Sequence, residues 1–365
     1  MDRSEQARIG FVGAGGHATS QLYPSLAKAP SAKLVAVCDL DGARAEAAAE
    51  RFGADRWYTD TATMLEKEAL DGVCICGPPD MHLQVGLQAL KHKLPIFVEK
   101  PSARDSRQAQ KLADAARAAE LWGMVAFMKR HADGYLLARD IMATPAFGGL
   151  RQLHIQFTQG PYPDLWGFAA PQAFLVGQVV HMFDLTRFLG GDVAQVHARL
   201  HLVSEHQFGY AISIGFVSGA VGTLVLNTLD HELAWRDMTE RVHISGVGES
   251  LVVETMHFVT YYSAADWRPE ARQRFGIPFR AWHPNYFSIL NGNELAGYEG
   301  ELEHFARCLL EKRPASASLQ DGVEALKLGE AVWKSARTGR PVSLLGPDSR
   351  AQASGRGLPA RPRRH

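Results

Sequence analysis

Residues 9–18, IGFVGAGGHA, constrain this chain more than any other stretch. An apolar, β-branched run leads in and a helix-forming run leads out, so Gly13, Gly15 and Ala18 make a G-x-G-x-x-A arrangement between strand and helix. The first glycine permits the tight turn, the second lets backbone approach a pyrophosphate, and the small third residue lets helix and strand pack closely. The turn residues Ala14, Gly15, Gly16 and His17 then offer backbone amides at a helix N-terminus, where phosphate binds. The expectation is a Rossmann-type doubly wound parallel sheet that binds a dinucleotide.

Further along, short apolar runs alternate with Ala-rich stretches, as a doubly wound sheet requires. Strands are expected over residues 8–12, 33–38, 72–76, 96–99 and 124–127, and helices over 41–52, 80–91 and 106–120. The second strand ends at Asp39, where an acidic group can hydrogen-bond the adenosine ribose. A carboxylate there repels a 2′-phosphate and no arginine stands beside it, which favours NAD over NADP. A competing role for Asp39 is to cap the following helix.

After residue 128 the texture changes. A helix over 131–143, a strand over 150–159 and a loop rich in Pro, Gly and aromatics over 160–177 precede a helix over 179–188. Residues 193–262 read as strands joined by short turns, with a hairpin at Ser218-Gly219, and two helices follow near 299–311 and 319–336. The expected organisation is a doubly wound, dinucleotide-binding domain (1–128), a second domain with a largely antiparallel sheet (129–345), and a disordered tail (346–365).

The formal net charge is zero, which gives no electrostatic case for nucleic acid or an anionic membrane as partner. The stretch 211–226 is apolar, yet its serines and glycines make it a hairpin and not a membrane helix. Cys38, Cys74, Cys76 and Cys308 lack metal-ligand spacing, so no metal is expected; buried thiols suit a reducing cytoplasm.

Two constellations carry chemistry. In IFVEKPS (96–102) a strand delivers Lys100 to a sheet's carboxyl edge, where an ammonium group can stabilise alkoxide character as a hydride leaves. In GQVVHMFDLTRFLGG (177–191), His181 and Asp184 share a helix face, so a carboxylate can orient an imidazole for proton transfer. The competing reading packs His181 and pairs Asp184 with Arg187.

Together with ICGPPDMH (75–82), these motifs make the chain resemble the glucose-fructose oxidoreductase, inositol dehydrogenase and MocA (Gfo/Idh/MocA) family over about residues 7–343. The resemblance implies an N-terminal Rossmann domain, a C-terminal α/β domain with an open, largely antiparallel sheet, and hydride transfer between NAD and a sugar, glycoside or cyclitol, in a homodimer or homotetramer. It implies Lys100 and His181 as catalytic residues, with Asp184 as orienter or substrate ligand. Cys76, Pro78, His82, Glu99 and Lys100 would border the cofactor, with His82 near the pyrophosphate or nicotinamide ribose. Gly177 stands where family members frequently carry an acid. The aromatic loop with Tyr162, Trp166 and Phe168 would wall the substrate, Lys129, Arg130 and His131 would meet its hydroxyls, and His283 and Asn285 are further candidates. Two alternatives share the fold: a glycoside hydrolase working by transient oxidation, and a non-catalytic NAD-binding regulator.

Overall fold

The computed structural model describes residues 6–230, 238–263, 279–283, 294 and 296–345; the expected tail and Asn285 lie outside them. Six strands, β1 (Ala7–Val12), β2 (Ala32–Cys38), β3 (Arg56–Tyr58), β4 (Gly72–Ile75), β5 (Ile96–Val98) and β6 (Gly123–Val125), form a parallel sheet. Their order is β3-β2-β1-β4-β5-β6. The winding reverses between β1 and β4, which opens a crevice at the carboxyl edge of those strands. Every residue of β4, β5 and β6 is buried, as the apolar runs of a two-sided parallel sheet demand.

The helices between these strands are α1 (Tyr23–Leu26), α2 (Gly42–Phe52), α3 (Thr61–Lys67), α4 (Pro79–Lys91) and α5 (Ser106–Ala118). Asp41, Asp60 and Asp105 cap α2, α3 and α5 by accepting backbone N–H bonds. Gly53 ends α2 in the left-handed conformation at φ 75°. Edge strand β3 and α3 escape the sequence reading because the three residues of β3, Arg56, Trp57 and Tyr58, include no buried one and carry no apolar alternation.

The second half contributes α6 (Asp133–Met142), β7 (Gln152–Gln159), α7 (Ala170–Ala173), α8 (Val180–Gly190), β8 (Val193–Leu202), β9 (Phe208–Phe216) and β10 (Val221–Asn227). It continues with β11 (Met238–Ser245), β12 (Glu249–Glu254), β13 (Phe258–Ser263), β14 (Phe279–Trp282), α9 (Tyr298–Leu310), α10 (Leu319–Thr338) and β15 (Val342–Ser343). Among the described residues its nine strands run in the order β14-β13-β12-β11-β7-β10-β9-β8-β15. All its pairings are antiparallel except β7 with β10. The hairpin expected at Ser218-Gly219 joins β9 to β10, with Gly219 at φ 90°. Among the described residues no helix is long and apolar enough to cross a membrane.

The last two helices tie the halves together. On α9, Phe305 packs on Phe97 of β5 at 5.7 Å, and Leu309 fills the space beside Gly72, where a Cβ would come within 2.8 Å. Helix α10 packs against α5 on one side and against α8 and β8 on the other.

A buried guanidinium completes the join. Arg130, in the 3-10 turn Met128–His131 after β6, donates to both carboxylate oxygens of Asp184 on α8, Nε at 2.8 Å and Nη2 at 2.5 Å. It also meets Asp321, in the first turn of α10, at 3.1 Å. Burial pushes the Asp184 carboxyl up to about 6, against the pull of Arg130, which leaves it ionised at neutral pH. This corrects the sequence expectation: Asp184 neither orients His181 nor faces a ligand, and its partner is Arg130 and not Arg187. Asp184→Ala leaves a buried guanidinium short of its main partner, so unfolding of the full chain in urea should show a loss of about 3–5 kcal/mol. A change within about 0.5 kcal/mol, as at an ordinary surface site, would contradict the role.

Candidate active site

The glycine loop lies at the carboxyl end of β1. Gly13 adopts φ 106°, and a Cβ there would sit 1.9 Å from the carbonyl oxygen of Cys76. Its N–H donates to the Cys38 carbonyl at 2.7 Å, and the next amide, Ala14, donates to Asp39 Oδ2 at 2.7 Å. The other Asp39 oxygen accepts from Asp41 N–H at 2.9 Å, while Asp41 itself caps α2. Asp39 therefore ties the glycine loop to the end of β2, and the capping role falls to its neighbour. Around Gly15 and Gly16 the space is open: a Cβ at either would meet nothing within 4 Å. Ala18–Leu22 form a π-helical turn that runs into α1. An open cradle of small residues at a helix entry, bordered by Asp39, fits the pyrophosphate and ribose of a dinucleotide.

The turns after β4 and β5 form the next wall. Pro78 is the extended N-cap residue just before α4, and Asp80 turns outward to Arg104 at 3.2 Å. His82 is fully buried; its Nε2 accepts from Gly77 N–H at 2.9 Å and its Nδ1 donates to the Pro101 carbonyl at 2.8 Å. That pattern requires the neutral ring protonated on Nδ1, and burial pushes its pKa below the ordinary value. His82 thus clamps two turns together from beneath instead of standing beside the pyrophosphate or ribose.

Glu99 is buried between neighbours. Its Oε1 accepts from His17 Nε2 at 3.1 Å and its Oε2 accepts the Lys100 backbone N–H at 2.9 Å. Burial alone would raise its pKa, but His17, Lys100 and His82 together hold it below the usual carboxylate value. The Lys100–Pro101 peptide bond is cis, and Lys100 Nζ donates to the Gly177 carbonyl at 3.2 Å. Burial, aided by Lys129, lowers the Lys100 pKa against the opposing pull of Glu99, Cys76 and Glu301.

Lys100 and His181 line one cavity of about 220 Å³. His181, in the first turn of α8, is 6% exposed, and its Nδ1 is buried with no hydrogen-bond partner. Burial, then the charges of Lys100, Lys129 and His17, push its pKa well below the ordinary value, so the ring is neutral at neutral pH. Met128, Met182, Met256 and Phe157 supply apolar wall, while His17, Gln178, Thr255 and Tyr298 add polar groups.

Lys129 lines the same cavity but already holds a partner: its Nζ donates to Glu240 on β11 and lies 3.2 Å from Met256 Sδ. Tyr135 donates to the other Glu240 oxygen. Trp166 does not line the cavity. Its ring packs behind Gly177, where a Cβ would lie 3.0 Å from that ring and 2.7 Å from the Tyr162 hydroxyl. The aromatic loop therefore fills the position at which an acid was missing. Arg104 fastens it by donating to the Trp166 carbonyl. His283 is exposed and packs edge-on against Phe258 at 5.4 Å.

The sequence reading missed Glu240 and Tyr298. Glu240 had a visible signal, an acid on the inward phase of the alternating run TERVHIS. It also missed Glu301 on α9, fully buried with neither carboxylate oxygen hydrogen-bonded, whose pKa burial and then Glu99 push well above the ordinary value.

Comparison with known proteins agrees with this geometry. Residues 7–127 match the model of an oxidoreductase family with an NAD-binding Rossmann fold, and residues 171–344 match that family's C-terminal alpha/beta domain. The chain belongs to the Gfo/Idh/MocA oxidoreductase family, and NAD is its cofactor. It is 28% identical over 342 residues to the D-apiose dehydrogenase of Paraburkholderia graminis, covering 88% of this chain and 86% of that one. It is 23% identical over 350 residues to the myo-inositol 2-dehydrogenase of Thermotoga maritima, covering 92% and 98%. Levoglucosan dehydrogenase, solved with NADH and L-sorbose, shares the fold with a TM-score of 0.80 at 21% identity, covering 93% and 99%.

Paired glycine variants separate the loop's two duties. Gly13→Ala forces a methyl group onto the Cys76 carbonyl in a backbone region L-residues avoid, and should cost at least about 2 kcal/mol in urea unfolding. Gly15→Ala meets open space, so it should keep stability within about 1 kcal/mol while weakening NAD binding in fluorescence titration, its methyl group entering the phosphate cradle. Equal stability losses in both would contradict the assignment.

Proposed function

We propose that this chain is an NAD-dependent dehydrogenase of a sugar, glycoside or cyclitol, acting on a secondary hydroxyl or the matching ketone. The observation that carries the reading is the convergence of Lys100, from the end of β5, and His181, from α8, on one partly apolar cavity next to the glycine loop's His17. The named relatives, an apiose and an inositol dehydrogenase, support the same substrate class. NAD, when bound, supplies the hydride acceptor.

His181 is neutral at neutral pH, so a ring nitrogen has a lone pair free to take the hydroxyl proton during oxidation. Lys100 keeps N–H bonds beyond the one given to Gly177, and directs one at the same oxygen to stabilise its alkoxide character. Reduction of the ketone uses the two groups in reverse. Glu99 holds His17 and the Lys100 backbone in place, and the methionines with Phe157 exclude water, which strengthens each polar contact.

The test begins with a screen for NADH formation over neutral sugars, glycosides and inositols. On an active substrate, Lys100→Ala should lower kcat by roughly 10²–10⁴-fold while the Kd for NAD stays nearly unchanged. Unaltered turnover in that variant ends the proposal.

The pH profile of kcat follows from the two shifts. His181 must be neutral to accept a proton and its pKa is lowered, so the acid limb should lie below pH 6.5, its ordinary value. Lys100 must be protonated and its pKa is also lowered, so the alkaline limb should lie below pH 10.5. An acid limb above pH 6.5 would contradict His181 as base.

A further inference from the structure

The ion pair of Lys129 and Glu240 is built into the cavity wall. Both residues are nearly fully buried, at 5% and 4% exposure, and both line the cavity shared by Lys100 and His181. Glu240 is held at both oxygens, by Lys129 Nζ at one and by the Tyr135 hydroxyl at the other. Burial holds the Tyr135 hydroxyl well above its ordinary pKa, so it remains a donor. Lys129 is fixed in turn against Met256 Sδ.

An unpaired buried ammonium group would be a strong receptor for a carboxylate, through a charge-assisted hydrogen bond. Here the charge of that ammonium group is already matched by Glu240. A substrate carboxylate arriving at Lys129 would meet the negative charge of Glu240 and would have to displace it, a like-charge encounter that disfavours the acid. A neutral polyol meets the opposite situation, because one hydroxyl can accept a remaining Lys129 N–H while a neighbouring hydroxyl donates to a remaining Glu240 lone pair. The other ammonium in the cavity, Lys100, donates to the Gly177 carbonyl and is the group assigned to the reacting oxygen, while Glu99 accepts only its backbone N–H.

We propose that Glu240 is a specificity-determining residue: by occupying Lys129 it makes the cavity select neutral polyols and reject sugar acids. The proposal rests on the dehydrogenase reading for its substrate class, and it adds the charge of the substrate and the residue that sets it.

The experiment is equilibrium binding by calorimetry to the NADH-loaded full chain, where no hydride can be taken from an alcohol. The probes are matched pairs differing in one carboxylate, D-glucose with D-glucuronate and D-galactose with D-galacturonate. The wild-type chain should bind no uronate more tightly than its neutral partner. Glu240→Gln should bind the uronates about tenfold or more tighter than wild type, and Glu240→Gln with Lys129→Met should lose that gain. Uronates favoured by the wild type, no gain in Glu240→Gln, or a gain that survives the loss of Lys129 would each overturn the proposal. The wild-type arm needs no variant to fold, and retained NADH binding checks that each variant has folded. Because binding is read without turnover, failure of the dehydrogenase reading shows separately, as absent NADH formation with every neutral polyol.

Discussion

Arg130 is the contact on which the rest of the site depends. Its backbone belongs to the turn leaving the parallel sheet, and its guanidinium is buried against Asp184 of α8 and Asp321 of α10. The residue before it in sequence, Lys129, and the residue one helical turn before Asp184, His181, both face the cavity. One buried cation therefore sets how the parallel sheet and the helix carrying the imidazole meet. Such a pair contributes little net stability against an apolar alternative, but its geometry is directional, and loss of either partner is costly.

Around the cavity, burial and pairing divide the charges. His181 is driven neutral by burial and surrounding cations, while Glu99 stays ionised because His17, Lys100 and His82 outweigh its own burial. Both pKa values are lowered, so one buried region holds the imidazole as a free base beside a fixed carboxylate charge, an arrangement expected where a proton must be accepted. Glu240 and Lys129 add a dipole fixed by Tyr135, which bears on selectivity more than on chemistry.

Local motifs made much of this legible. The glycine loop, the end of β2 at Asp39 and the strand leading to Lys100 are each set by a handful of adjacent residues, and the structure places them at one sheet edge. The hairpin at Ser218-Gly219 is similarly local. What escaped depends on long-range pairing. The spacing of His181 and Asp184 suggested a catalytic couple, but the partner of Asp184 lies 54 residues away and no helical periodicity can reveal it. Glu240 meets Lys129 across 111 residues. The cover that α9 provides for β4 and β5 is equally invisible, because Phe305 and Leu309 read only as one face of an amphipathic helix. His82 looked like a cofactor residue because its motif borders the crevice; only its two backbone partners reveal a clamp.

The central claim is spatial: the ammonium of Lys100 and the imidazole of His181 act on one substrate oxygen. A crystal structure of the chain with NADH and a neutral polyol that it oxidises tests this most directly. The account predicts Lys100 Nζ and a His181 ring nitrogen both at about 3 Å from the same hydroxyl oxygen. A polyol bound outside this cavity, or a reacting hydroxyl that neither side chain touches, would contradict it.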